Sequence, residues 1–124
     1  MLSDARVHTT LPASDIDRAK RFYTEVLGLS IESEAPGGVF FLSGNTHFLV
    51  YPASGAASGA HTQMGWQVDD IEAEVPALKE RGVQFEAYDF PGFDQSTSIA
   101  TTGPIKAAWF RDTEGNLLGI VQLL

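Results

Sequence analysis

Histidine is the side chain of this sequence best suited both to bind a metal and to move a proton near neutral pH. The chain of 124 residues has three histidines, His8, His47 and His61, and no cysteine. Without cysteine there can be no disulfide, thiolate metal ligand or cysteine nucleophile. His61 follows a run of small residues and is expected in solvent, whereas His8 and Gln63 lie on predicted strands. No spacing typical of a Ser-His-Asp triad or a catalytic carboxylate pair is recognisable.

The charge balance limits the partners of the protein. Sixteen acidic residues against eight basic ones give a formal net charge of −8. An acidic surface repels a phosphate backbone, so we expect no nucleic-acid partner. The charge could attract a cationic ligand or only keep the protein soluble. No segment reaches the roughly 20 apolar residues of a membrane span, and no signal peptide is visible, so we expect a cytoplasmic protein with no membrane partner.

The elements that position His8 begin the chain. Residues 7–13 read as a strand that ends where Ser14 or Asp15 can cap a helix. Apolar residues follow at helical spacing, and Gly28 can end the helix in a left-handed conformation. Residues 29–33 then read as a second strand.

The second half of the sequence repeats this pattern. Residues 63–68 read as a strand that runs into a helix capped near Asp70, Gly82 ends that helix, and residues 83–87 form the next strand. Pro76 lies inside the predicted helix, where proline removes a hydrogen bond, so we expect a late helix start or a kink there.

Each half closes with a β-hairpin. Residues 39–51 turn tightly at Gly44-Asn45, and residues 105–123 have a longer turn at 112–116. The predicted fold class is α+β, with two tandem βαβββ modules forming a curved mixed sheet that has a concave cup, helices outside. We expect a single domain, 1–124, with module one at 5–52, a flexible linker at 53–61 and module two at 62–124.

Several motifs resemble those of the vicinal oxygen chelate superfamily, which includes glyoxalase I, extradiol dioxygenases, epimerases, fosfomycin-resistance enzymes and bleomycin-resistance proteins. They are HTTLPASD at 8–15, RFY at 21–23 with LGL at 27–29, VDD at 68–70 and DTEGN at 112–116. The resemblance covers almost the whole chain and implies the cupped two-module fold. It leaves the activity open, because the fold hosts many.

The resemblance also implies four metal-ligand positions, one on each of four strands. They fall on His8, Gln63, Gly119 and, by matching the turn glycines of the two halves, Phe48. Glycine and phenylalanine offer no donor atom, and metals of this kind need oxygen or nitrogen ligands. We therefore expect no metal and no other cofactor. A one-residue slip would bring His47 to the fourth position, but strand alternation then points it away from the face of Phe48.

The predicted cup is lined by aromatic, aliphatic and amide side chains, a mixture suited to a flat organic ligand with polar edges. One of the neighbours Trp109 and Phe110 should face it, and Trp66 should be core. The segment with Phe90 and Phe93 could be a lid, a dimer contact or a packed loop. The candidate ligand-binding residues are His8, Phe41, Phe48, Val50, Gln63, Gln67, Phe90, Phe93, Trp109, Phe110 and Gly119.

Three functions fit these residues. The first is non-catalytic sequestration of a hydrophobic, aromatic small molecule by a homodimer, as the resemblance to bleomycin-resistance proteins implies. The second is a glyoxalase-like lyase, isomerase or dioxygenase with a degenerate or absent metal site, in which His8 could be the base. The third is a protein-contact role with a vestigial pocket.

Overall fold

The computed structural model describes residues 1–54 and 59–123, so the middle of the predicted linker, 55–58, lies outside the described residues. The strands are β1 (Thr10–Ala13), β2 (Ser30–Ala35), β3 (Gly38–Ser43), β4 (Thr46–Pro52), β5 (Met64–Gln67), β6 (Phe93–Asp94), β7 (Ile99–Thr102), β8 (Ile105–Arg111) and β9 (Leu117–Leu123). The helices are α1 (Ile16–Arg21), continued by a π-helical turn (Phe22–Val26), and α2 (Ile71–Glu80), after a short 3₁₀ turn at Leu2–Asp4.

The two halves share one strand topology. The first forms a four-stranded sheet in the order β1-β4-β3-β2, and the second a five-stranded sheet in the order β5-β9-β8-β7-β6. In each, the strand before the helix pairs in parallel with the last strand of its own half, and the other pairs are antiparallel. This arrangement confirms the α+β fold of two tandem units, with the hydrogen-bonded ladders dividing the strands into two sheets.

Local chemistry accounts for the start of both helices and for the end of α2. Asp15 accepts a hydrogen bond from the backbone N–H of Arg18, and Asp70 does the same for Ala73, so each caps its helix. Gly82 follows α2 with φ of 98°, a conformation that favours glycine. The expected late start of α2 is wrong.

Pro76 lies inside α2 and is exposed. The carbonyl that loses its helical partner belongs to Glu72, in the exposed first turn, where water can bind it. The helix can therefore begin at Ile71 despite the proline.

The predicted strand at 83–87 is only partly formed. Phe85 makes a single antiparallel bridge to Phe110, and the N–H of Glu86 donates to the carbonyl of Trp109 (2.7 Å). The chain then leaves the sheet and returns as β7, which pairs with the other end of β8. A segment outside the sheet, which contains the aromatic residues of 88–93, therefore interrupts the edge of the second sheet.

One apolar core is shared by both halves. Its largest fully buried aromatic residues are Tyr23, Phe41 and Phe110, from the helical segment of the first half and from one strand of each sheet. Phe22 lies 6.5 Å from Phe110 between ring centroids, across the boundary of the two halves. Within the described residues, no helix is long and apolar enough to cross a membrane.

Candidate ligand-binding cup

Four of the predicted ligand-binding residues point into the core, so their assignment to the cup is wrong. Phe41, Phe48, Val50 and Phe110 are at most 4% exposed. The rings of Phe41 and Phe48 lie 5.1 Å and 5.3 Å from that of Tyr23, on the helical side of the first sheet. Because side chains alternate along a strand, the opposite side, here called the cup face, carries their neighbours instead.

The error arose from the register of the two hairpins. Phe48 pairs with Phe41, and Leu118 pairs with Phe110, so the counterpart of Phe48 in the second half is Leu118. Between these pairs the second hairpin has one residue more than the first. An alignment on the turn glycines, Gly44 and Gly115, therefore matches Phe48 with Gly119, which is one position too late. Gly119 therefore corresponds to Leu49, which pairs with Thr10 on the cup face.

Two imidazoles and a carboxylate meet on the cup face of the first sheet. The ring of His47 donates from Nδ1 to Oε1 of Glu32 (2.7 Å) and stacks on Phe40 at 4.8 Å between centroids. The ring of His8 packs edge-on against both, at 5.2 Å from Phe40 and 5.5 Å from His47. The side chains of His8 and His47 border a cavity of about 210 Å³ that extends to Gly65 and Trp66 on β5.

His47 and Glu32 were missed as site residues for different reasons. His47 is two positions before Leu49, so a correct register would have placed it on the cup face. Glu32 sits where the pairing of β2 with β3 shifts between Ile31 and Ser33. That bulge leaves no trace in the spacing of the sequence.

The cup face of the second sheet is occupied by Trp109. Trp109 and Gly119 are direct partners across β8 and β9. A Cβ atom at Gly119 would lie 3.4 Å from Cδ1 of the indole and 3.3 Å from Cγ2 of Thr62, tighter than nearly all real contacts. The absence of a side chain at Gly119 is therefore what lets the indole lie against the sheet. Of the neighbours Trp109 and Phe110, Trp109 is the one that faces the cup.

Three further aromatic rings continue from Trp109. Tyr88 lies 5.4 Å and Phe90 6.4 Å from its ring, and Phe93 lies 5.9 Å from Tyr88. We call these four residues the aromatic wall. Phe90 remains 37% exposed. The segment with Phe90 and Phe93 thus packs on the sheet beside the predicted site, and its outer side stays open to solvent.

The two predicted glutamines have different environments. The Oε1 atom of Gln63 accepts a hydrogen bond from the N–H of Leu117 (3.3 Å), so this amide oxygen is already engaged. Gln67 is exposed at the end of β5, beside a separate cavity on the helical side of the second sheet. Only Gln63 is near the edge of the surface formed by Trp109 and Gly119.

The fold and these sites can be compared with those of known proteins. The model of the Glyoxalase/Bleomycin resistance protein/Dioxygenase superfamily matches residues 6–120. The chain belongs to this superfamily. The protein YurT of Bacillus subtilis (strain 168) is 31% identical to it over 135 residues, covering 94% of this chain and 97% of YurT.

Solved structures of the superfamily have the same fold. A lactoylglutathione lyase from Agrobacterium tumefaciens matches with a TM-score of 0.64 and 25% identity, over 96% of this chain and 93% of the lyase. The fosfomycin resistance protein FosX from Listeria monocytogenes matches with a TM-score of 0.71 and 15% identity, over 98% and 94% of the two chains. At 15% identity the second likeness bears on the fold alone. The superfamily holds enzymes and binding proteins, so the activity must be argued from the site.

The metal site expected from the superfamily does not fit the residues present. The four positions, with the corrected register, are His8, Leu49, Gln63 and Gly119. Leucine and glycine offer no donor, the oxygen of Gln63 is engaged, and the indole of Trp109 covers Gly119. In residues 1–54 and 59–123, no group of three or more His, Asp or Glu side chains is placed to hold a metal ion.

Proposed function

We propose that this protein binds and sequesters a hydrophobic, aromatic small molecule on its cup face without altering it chemically. The observation that carries this proposal is the indole of Trp109 lying against Gly119. It puts an aromatic surface at a position where the superfamily is expected to carry a metal ligand, and Tyr88 and Phe90 extend that surface. Aromatic rings give a flat ligand large contact areas at small entropic cost, and Gln63 and Thr62 offer polar groups at its edge.

Sequestration requires neither a metal nor a general base, because the ligand is not altered chemically. Of the four inherited ligand positions, only those of His8 and Gln63 carry side chains with donor atoms. The superfamily includes bleomycin resistance proteins, so a role in tolerance of an antibiotic or another xenobiotic is the form that this proposal takes. We place the protein in the cytoplasm as a homodimer, with neither nucleic acid nor membrane as a partner.

A single-tryptophan variant tests the proposal. The sequence has two tryptophans, so Trp66→Phe leaves Trp109 as the only one. Titration with planar aromatic compounds, such as acridine and naphthol derivatives, should quench its emission saturably at one ligand per chain. Mass spectrometry of the recovered compound should show an unchanged mass. Lack of a saturable response to every compound, or a changed mass, would count against sequestration on this face.

A second candidate function rests on the pair formed by Glu32 and His47. A carboxylate that holds Nδ1–H of a histidine leaves Nε2 as a proton acceptor, an arrangement used in general base catalysis. A metal-free isomerase or lyase could use it, with His47 rather than His8 as the base. Incubation with lactoylglutathione in D₂O tests this: exchange of the lactoyl C–H that is lost in His47→Asn favours it, and no exchange in the native protein rejects it for this substrate.

A further inference from the structure

A cleft lies on the side of the second sheet opposite the cup face. It has a volume of about 190 Å³ and is formed by both halves of the chain. Leu27 and Leu29 contribute from the chain after the first helical segment, Val68 from the end of β5 and Leu78 from α2. We call it the helix-side cleft. It is separate from the aromatic wall, because Trp66 and Phe110 face the core side of the sheet whereas Trp109 faces the other.

The lining of the cleft is mostly apolar, with Ser43 and Gln67 as its uncharged polar residues, and an aromatic ring is fixed at one side. The indole of Trp66 lies nearly parallel to the ring of Phe110, at 6.1 Å between centroids and 11° between planes. Its Nε1–H donates to Oγ of Ser43 (3.1 Å), across the boundary between the two halves. The indole is therefore held from the edge and from the face. A cavity of roughly 150 Å³ accommodates benzene, so this one has room for a single substituted ring.

The rim of the cleft carries a negative charge. Glu74 projects from α2 at the opening, where it is exposed, and none of the ion pairs in the described part of the chain includes it. The acidic chain, with a net charge of −8, adds a field that attracts cations. An apolar cavity with one carboxylate at its mouth is complementary to a ring that bears an ammonium group.

We propose that the helix-side cleft is a second ligand site, which takes a small organic amine with one apolar ring. The ring would occupy the space beside Trp66 and Leu78, and the ammonium group would face Glu74. This site does not depend on the proposed function of the cup, since no residue of the aromatic wall lines it; Ser43 and Trp66 also border the cavity beside His8 and His47.

The two tryptophans allow each site to be followed alone. Trp109→Phe leaves Trp66 as the reporter of the helix-side cleft, and 2-phenylethylamine serves as the probe. We expect a saturable change in Trp66 emission. Glu74→Gln should lower the affinity for the amine about fivefold, which matches the contribution of an exposed ion pair to binding. Glu80→Gln, on the same helix but away from the cleft, is the matched control and should leave the affinity unchanged. The neutral analogue 2-phenylethanol should bind equally well with and without the Glu74→Gln substitution.

NMR of methyl groups gives a second readout that does not depend on fluorescence. The amine should shift the methyl signals of Leu27, Val68 and Leu78 in the native protein. The proposal is overturned if the emission of Trp66 does not saturate, if Glu74→Gln leaves the amine affinity unchanged, or if the shifts fall instead on residues beside Trp109. Failure of the cup proposal would show in the Trp66→Phe protein and would leave these measurements unaffected.

Discussion

The indole of Trp109 lies against the backbone of Gly119, its direct partner across β8 and β9. This contact links a small residue to an aromatic surface. It also places an apolar ring where the superfamily is expected to carry a ligand for a metal. The contact is close enough that the smallest added side chain tests it.

Gly119→Ala should disturb the cup face. The added methyl group would stand 3.3–3.4 Å from Thr62 and the indole, so both must shift by a few tenths of an ångström. We expect a loss of about 1–3 kcal/mol in the free energy of unfolding and a changed Trp109 emission spectrum in the Trp66→Phe background. Gly37→Ala is the control, because nothing lies within 4 Å of its added methyl group. Equal stability of the two variants would contradict the contact.

Substitution of Phe48 should lower the stability of the protein, whereas substitution of Trp109 should weaken its binding of an aromatic ligand. Phe48 is buried against Tyr23 and Phe41, so Phe48→Ala should lower the free energy of unfolding by about 3–5 kcal/mol, measured by urea denaturation. Trp109→Ala removes ring surface from the cup face and should weaken binding of an aromatic ligand by about 1–3 kcal/mol, measured by calorimetry. A Phe48→Ala protein of native stability, or a Trp109→Ala protein of native affinity, would reverse these assignments.

The elements were predictable where a local residue decides them. Asp15 and Asp70 cap helices, and Gly82 ends one, because each acts within a few residues of itself. The orientation of Phe48 was not predictable in this way. The alternation of side chains along a strand shows which residues share a face of the sheet, but it does not show which face packs against the helices. That choice depends on how many residues the turns hold, and the two turns differ by one.

Parts of the site depend on contacts that span the fold. Glu32 reaches His47 through a bulge, and Tyr88 reaches Trp109 after the chain leaves the edge of the sheet. Neither departure follows from periodicity, since an irregular backbone has none. The repeated units of the sequence predicted the fold and the concave surface, but they did not predict which side chains meet on that surface.

The turn between β8 and β9 is held to α1 by Glu114. Its side chain is only 1% exposed, and it accepts hydrogen bonds from Nε of Arg18 (2.7 Å) and the N–H of Asp15 (2.9 Å). Glu114→Gln keeps the shape but loses the charge, so we expect about 2 kcal/mol less stability at pH 7. Thermal or urea unfolding measures this, with Glu80→Gln as an exposed control. A loss no larger than that of the control would mean that the bonds contribute little.

The contribution of Glu114 should also vanish in acid. Burial raises its pKa, but the hydrogen bonds from Arg18, Asp15 and Thr113 together lower it to about 2, below the usual 4.5. Because the folded value is depressed, the stabilisation is complete above about pH 5 and is lost as the pH falls from 4.5 toward 2. The difference in stability between the native protein and Glu114→Gln should therefore shrink across that window. The other carboxylates are common to both proteins and cancel. A difference that stayed constant down to about pH 2.5 would show that folding does not lower the pKa of this carboxylate.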